Sequence, residues 1–142
     1  MNISKYRESN FPFANRSRYI ESVEFEVHSN SIPDSEVIQS IVSLTETAGP
    51  GEQLPSVNDY EKVSNQDAWL DLSQFTSKGS QDAALMNFMN SIDAALKDET
   101  ARSYIRQFEN EEDTDEPALP DYYEMIVIHK NRAYKLVLTK DW

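Results

Sequence analysis

Residues 122–139 read YYEMIVIHKNRAYKLVLT, two β-rich runs around His129-Lys-Asn-Arg132. Met125 to Ile128 is an unbroken aliphatic run, which implies burial on both faces and hence a central strand. On the second run Tyr134, Leu136 and Leu138 point one way, and Lys135 and Val137 the other. Asn131 tolerates a positive φ, so the four residues between the runs read as a tight hairpin turn centred on it.

A second strand is legible far upstream. Tyr19, Val23, Phe25 and Val27 alternate with Ser22, Glu24 and Glu26, giving one apolar and one wetted face. Glu21 falls on the apolar face, so the start of this strand is expected to be exposed. Residues 1–18 show no period and are rich in Asn, Ser and Arg; they are expected as a loosely ordered basic arm with an anchoring turn at Phe11-Pro-Phe13.

Between the strands the period lengthens. Val37, Ile38, Ile41, Val42 and Thr45 mark one face of a helix ending near Thr47. Ser31 is the expected cap, Pro33 suits the first turn, and Asp34 and Glu36 suit the positive end of the helix dipole. Gly49-Pro-Gly51 stops that helix. Asp67 to Phe75 reads as a strand with Leu70 and Leu72 on one face and Trp69 on the other, a short helix being the alternative. From Ser80, Leu85, Phe88, Met89, Ile92 and Leu96 predict a second helix, and Tyr104, Ile105 and Phe108 resume its stripe after a kink or fresh cap at Asp98. Residues 109–121, ENEEDTDEPALPD, hold seven acids and two prolines and are expected as an acidic loop.

The expected architecture is α+β: one domain over residues 1–142, an antiparallel sheet with the C-terminal hairpin, packed on one face by two helical regions. At 142 residues the chain can bury a core without staples, and with no cysteine it has no disulfide, thiolate nucleophile or Cys-ligated metal. The longest aliphatic run, Met125–Ile128, is far shorter than the roughly 20 residues of a membrane span. No apolar stretch follows the first charges, so a signal peptide is not expected and the protein is placed in the cytoplasm.

Net charge is -12, unevenly spread. Residues 1–20 sum to +3 and 122–142 to +2, whereas 21–121 hold 22 acids against five bases, leaving -17. Such a body repels phosphate backbones, so no direct nucleic-acid binding is expected; the same field attracts a basic protein surface. The bland reading of the excess acid is solubility alone.

Catalytic signatures are missing. There is no glycine-rich phosphate loop, Gly-x-Ser-x-Gly elbow or His-Glu-x-x-His helix. His28 and His129 lie near predicted strand ends, where they are read as turn residues rather than as a metal pair completed by Glu26 or Asp121. The acids of 109–116 have no central glycine for a calcium loop, and no cofactor or metal is expected.

The leading expectation is therefore a non-enzymatic binding protein, an inhibitor or immunity-type protein whose carboxylates occupy the basic site of a nuclease or other nucleic-acid-handling partner. Its expected docking residues are Asp82, Asp93, Asp98, Glu99, Glu109, Glu111, Glu112, Asp113, Asp115, Glu116, Tyr122 and Tyr123. Trp69, Tyr60 and Trp142 are further aromatics suited to anchoring an interface. Two alternatives stand beside it: a small acidic dimeric secretion or folding chaperone, and a small-molecule binder or enzyme using His28, His129 and Tyr134 in a pocket between sheet and helix.

Overall fold

The computed structural model describes residues 2–12, 18–29, 31–46, 49–51, 53–78, 83–108 and 122–140. Six strands and three helices are described: β1 (Ile3–Pro12), β2 (Arg18–Val27), α1 (Asp34–Thr45), β3 (Glu61–Val63), α2 (Asn65–Lys78), α3 (Ala83–Leu96), β4 (Arg102–Phe108), β5 (Tyr122–His129) and β6 (Arg132–Lys140). The strands form one sheet in the order β1-β2-β6-β5-β4-β3, every neighbour antiparallel. This is the expected α+β class with its C-terminal hairpin, and β5 is an inner strand buried from Tyr123 to Ile128.

Burial of β5 on both faces requires two covering layers, and the helices divide accordingly. On one face Val37, Ile38, Ile41 and Val42 of α1 pack with Ile3, Val23, Phe25, Val27, Ile126 and Ile128. On the other, Ala68 and Leu72 of α2 and Met89, Ile92, Ala95 and Leu96 of α3 pack with Ile20, Ile105, Tyr123, Met125, Val127, Leu136 and Leu138. The expectation of helices on a single face is thus corrected to one helix against two. Each fully buried aliphatic or aromatic side chain here contributes about 2 kcal/mol. The same layering corrects β2: Ile20 and Ser22 are buried opposite Val23, Phe25 and Val27, so this strand has no fully wetted face.

Three segments differ from their sequence reading, each for a local reason. Residues 3–12, expected as part of an arm, pair with Tyr19–Val27 of β2 in register Ile3↔Val27 to Pro12↔Tyr19, and Ile3 is buried in the core. Asn65–Lys78 is helical, not extended: the Ser64 hydroxyl accepts the backbone N–H of Asp67 at 3.1 Å, and Ala68 and Leu72, one turn apart, are the buried pair. Arg102–Phe108 is a strand, not a continued helix. Asp98 accepts from the Thr100 backbone and hydroxyl, making the turn that ends α3, and Ser103 and Ile105 then alternate inward. In α1 the first helical residue is Asp34 and the cap position is Pro33, which brings no side-chain acceptor, so Ser31 is not the cap. The expected cap at Ser80, the turn at Phe13 and the acidic stretch 109–121 lie outside the described residues.

The hairpin turn has a consequence for stability. Its positive φ belongs to Lys130, at 55°, not to Asn131. A positive first central residue followed by a negative one is the pattern of a type II′ turn, where glycine is preferred. The L side chain there costs about 1–2 kcal/mol, partly offset by the extra chain entropy glycine loses. Lys130→Gly is therefore expected to stabilise by up to about 1 kcal/mol, raising the thermal midpoint by a few degrees.

Candidate partner-docking site

Two places on the sheet carry most of the chemistry. The first is inward. Where α1 ends, the same sheet face stops being apolar and presents Arg106, Tyr122, Glu124 and Lys135. Glu124 is fully buried and accepts hydrogen bonds from the Tyr60 hydroxyl, from Tyr122 at 2.7 Å and from Arg106 at 2.9 Å. Lys135, 2 % exposed, donates to Thr45 Oγ1 at 2.8 Å and Glu46 Oε1 at 2.9 Å and lies 4.0 Å from Glu124. It supplies a cation at the C-terminus of α1, whose own last turn contains no base. Arg106 also stands over the rings of Tyr122 and Tyr60 at 4.9 and 5.5 Å.

Burial, reinforced by the Glu124 carboxylate, holds the Tyr60 and Tyr122 phenols well above their usual range. Burial alone would lower Arg106, but the Glu124 carboxylate outweighs it and raises the guanidinium, which stays charged. All of these bonds point into the protein, and a carboxylate with no exposed surface meets no substrate. The network braces the C-terminal end of α1 against the sheet.

Glu21 borders this network and is half-buried rather than exposed as expected. Desolvation raises its carboxyl despite the opposing pull of Lys135, with Glu8 and Glu46 adding repulsion. Its folded-state pKa lies above the unfolded one, so ionisation at neutral pH works against folding. Glu21→Gln is expected to raise the unfolding midpoint at pH 7. The gain should shrink as pH falls through the carboxylate range, where the native side chain becomes neutral too; equal midpoints at all pH values would refute it.

The second place is outward, on the α2–α3 layer. Trp69 is 41 % exposed and Leu70 48 % exposed. The Trp69 indole N–H donates to Asp93 Oδ1 on α3 at 2.6 Å, which fixes the ring across the two helices. Asp93 Oδ2 meets Lys97 at 3.1 Å. Asp67 on α2 and Glu99 in the turn after α3 are exposed.

Asp98 lies at the end of α3, its Oδ2 accepting from His129 Nε2 at 2.9 Å, with Lys130 at 3.7 Å. The His129 and Thr100 bonds hold its carboxyl well below the usual range. His28 instead meets Ser4 Oγ at 2.8 Å, so the two histidines have separate partners.

Of the expected docking residues, Asp93 lies on this layer beside Trp69, and Asp98 and Glu99 follow in the turn after α3. Tyr123 is not on this surface: it is 2 % exposed, and its hydroxyl donates to Asp71 at 2.6 Å. Tyr122 belongs to the buried network on the opposite face. Neither is a surface anchor, because strand alternation turns one to each covered face. Asp82, Glu109, Glu111, Glu112, Asp113, Asp115, Glu116 and the aromatic Trp142 lie outside the described residues. A strand would set Leu70 on one face with Leu72; the helical spacing of Ala68 and Leu72 instead puts Leu70 outside.

Among the described residues no group of three or more His, Asp or Glu side chains is placed to hold a metal, and no helix is long and apolar enough to cross a membrane. Comparison of the chain with protein-family models, curated proteins and solved structures finds no match.

Proposed function

We propose that this chain is a non-enzymatic binding protein that docks the acidic outer face of α2 and α3 on a basic surface of a partner protein. The observation that carries this reading is Trp69, a large aromatic left exposed yet held rigid by Asp93, beside exposed Leu70 and among Asp67, Asp93, Asp98 and Glu99 against Lys97. A pre-oriented indole with an adjacent aliphatic side chain suits the desolvated centre of an interface, and flanking carboxylates suit a steering rim. The -17 carried by residues 21–121 extends that field. Carboxylates in this role stand in for nucleic-acid phosphates, so the partner class is a nuclease or another nucleic-acid-handling protein acting as the target of inhibition.

The test is capture on the immobilised chain at about 50 mM salt, where charges reach furthest. A basic partner is expected to be retained, to elute as salt rises towards about 0.5 M, and to be displaced by a double-stranded oligonucleotide. Retention of no basic protein, or retention indifferent to both salt and oligonucleotide, defeats the reading.

A further inference from the structure

We infer that a polar pocket between the β1–β2 edge and α3 binds a small hydroxylated or aminated organic anion, a carboxylate or a phosphate monoester. This site goes beyond the docking face and does not depend on it. The pocket has a volume of about 290 Å³ and is lined by Tyr6, Arg7, Glu24 and Arg132 from the sheet and by Asn87, Phe88 and Ser91 from α3.

Its geometry begins with a β-bulge. The register of β1 on β2 shifts between Lys5↔Phe25 and Arg7↔Glu24, leaving Tyr6 as the extra residue. Successive strand residues ordinarily face opposite sides, but the bulge re-aims one, so Tyr6 and Arg7 both line the same pocket.

Arg132 reaches in from β6, two strands away. The guanidinium carbons of Arg132 and Arg7 stand over the Tyr6 ring at 4.5 and 5.4 Å. Tyr6 is 50 % exposed, so this pair of cations gathers around a ring at the surface, not in a core. Arg132 Nη1 is buried and ion-paired with Glu26 Oε1 at 3.8 Å, while the Arg132 side chain as a whole stays 33 % exposed and lines the pocket. Both guanidiniums line the pocket, and either can meet an oxyanion there with charge-assisted, bidentate geometry.

The rest of the lining selects within anions. Glu24, directly opposite Arg7 in register, accepts from a hydroxyl or ammonium group but repels a bare polyanion. The Asn87 amide and the serine hydroxyls offer neutral hydrogen bonds, and Phe88 offers an apolar wall. The volume stands at the lower limit of the roughly 300–1,000 Å³ of ligand sites, which suits a compact metabolite and excludes a dinucleotide.

The experiment is calorimetric titration of the whole chain with citrate, L-malate, glycerol 3-phosphate and ribose 5-phosphate at low salt, the first two reporting carboxylates and the last two phosphate esters. At least one is expected to bind with Kd below about 1 mM, a free energy of about 4 kcal/mol. Arg132→Gln should weaken that binding at least tenfold and Arg7→Gln severalfold, while Lys62→Gln, on the distant β3, should leave it unchanged. Ser91→Phe, which fills the pocket from an exposed helical position without altering charge, should abolish binding and keeps the test valid if Arg132→Gln fails to fold. Absence of binding by all four compounds, or binding that survives Ser91→Phe, overturns the inference.

Discussion

Glu124→Ala is expected to lower the unfolding midpoint by about 9–15 °C at neutral pH. Glu124 has no exposed surface, and four groups converge on it: two phenols, the Arg106 guanidinium and, at 4.0 Å, the Lys135 ammonium. Removing the carboxylate leaves two desolvated cations with one fewer counter-charge and two buried hydroxyls without their acceptor. Breaking a buried ion pair from one side costs about 3–5 kcal/mol, because the stranded charge remains where water cannot reach it. For a chain of 142 residues each kcal/mol moves the midpoint by about 3 °C.

The contrast with Tyr60→Phe separates charge from hydrogen bonding. That variant removes one donor to a carboxylate and keeps the ring under Arg106, so it should cost only about 1.5–3 kcal/mol. Urea unfolding of both variants is the measurement. Loss of less than about 1 kcal/mol in Glu124→Ala would mean that the cations find water or other carboxylates, and that the network does not brace α1.

This network also shows where sequence reading stops. The hairpin, the strand at Val23–Val27 and the stripe of α1 were legible because each buries a continuous apolar face, and burial of that kind leaves a period in the sequence. Lys135 and Glu124 leave none. Each is a charged residue on an apolar strand, and only the pairing of β5 with β4 and β6 sets Arg106 against Glu124 and brings Lys135 within 4.0 Å. Long-range register is the missing information, since a shift of one residue sends every side chain to the other face.

The misread segments have a different cause. In Asp67–Phe75 tryptophan and phenylalanine favour a strand, but the stronger local signal is the capping sequence Ser64-Asn-Gln-Asp67. For Tyr104–Phe108 an apolar stripe continued past Asp98, yet that residue's hydrogen bonds to Thr100 close a turn that no helix passes through. As for the docking face, its acids at Asp93, Asp98 and Glu99 were legible as a charge bias. Trp69 emerged as its centre only when α2 and α3 were seen to join through the Asp93 bond.

Trp69→Ala is expected to weaken partner binding by at least about 30-fold, equivalent to about 2 kcal/mol, while costing the fold only about 1–2 kcal/mol. The two expectations rest on the same number. With 41 % of its surface exposed, the indole loses only part of a buried tryptophan's contacts on truncation, yet it offers a broad apolar face that only a partner can finish covering. The loss should appear chiefly as faster dissociation, because the steering carboxylates are untouched.

Asp93→Ala removes the 2.6 Å bond that orients the ring and should also raise the dissociation rate, by less than Trp69→Ala. Glu99→Gln leaves the anchor in place and removes exposed charge, so it should slow association and flatten the salt dependence. Surface plasmon resonance at two salt concentrations reads all three. If Trp69→Ala binds within twofold of the native chain, the α2–α3 face is not the contact surface, whatever the charge variants do.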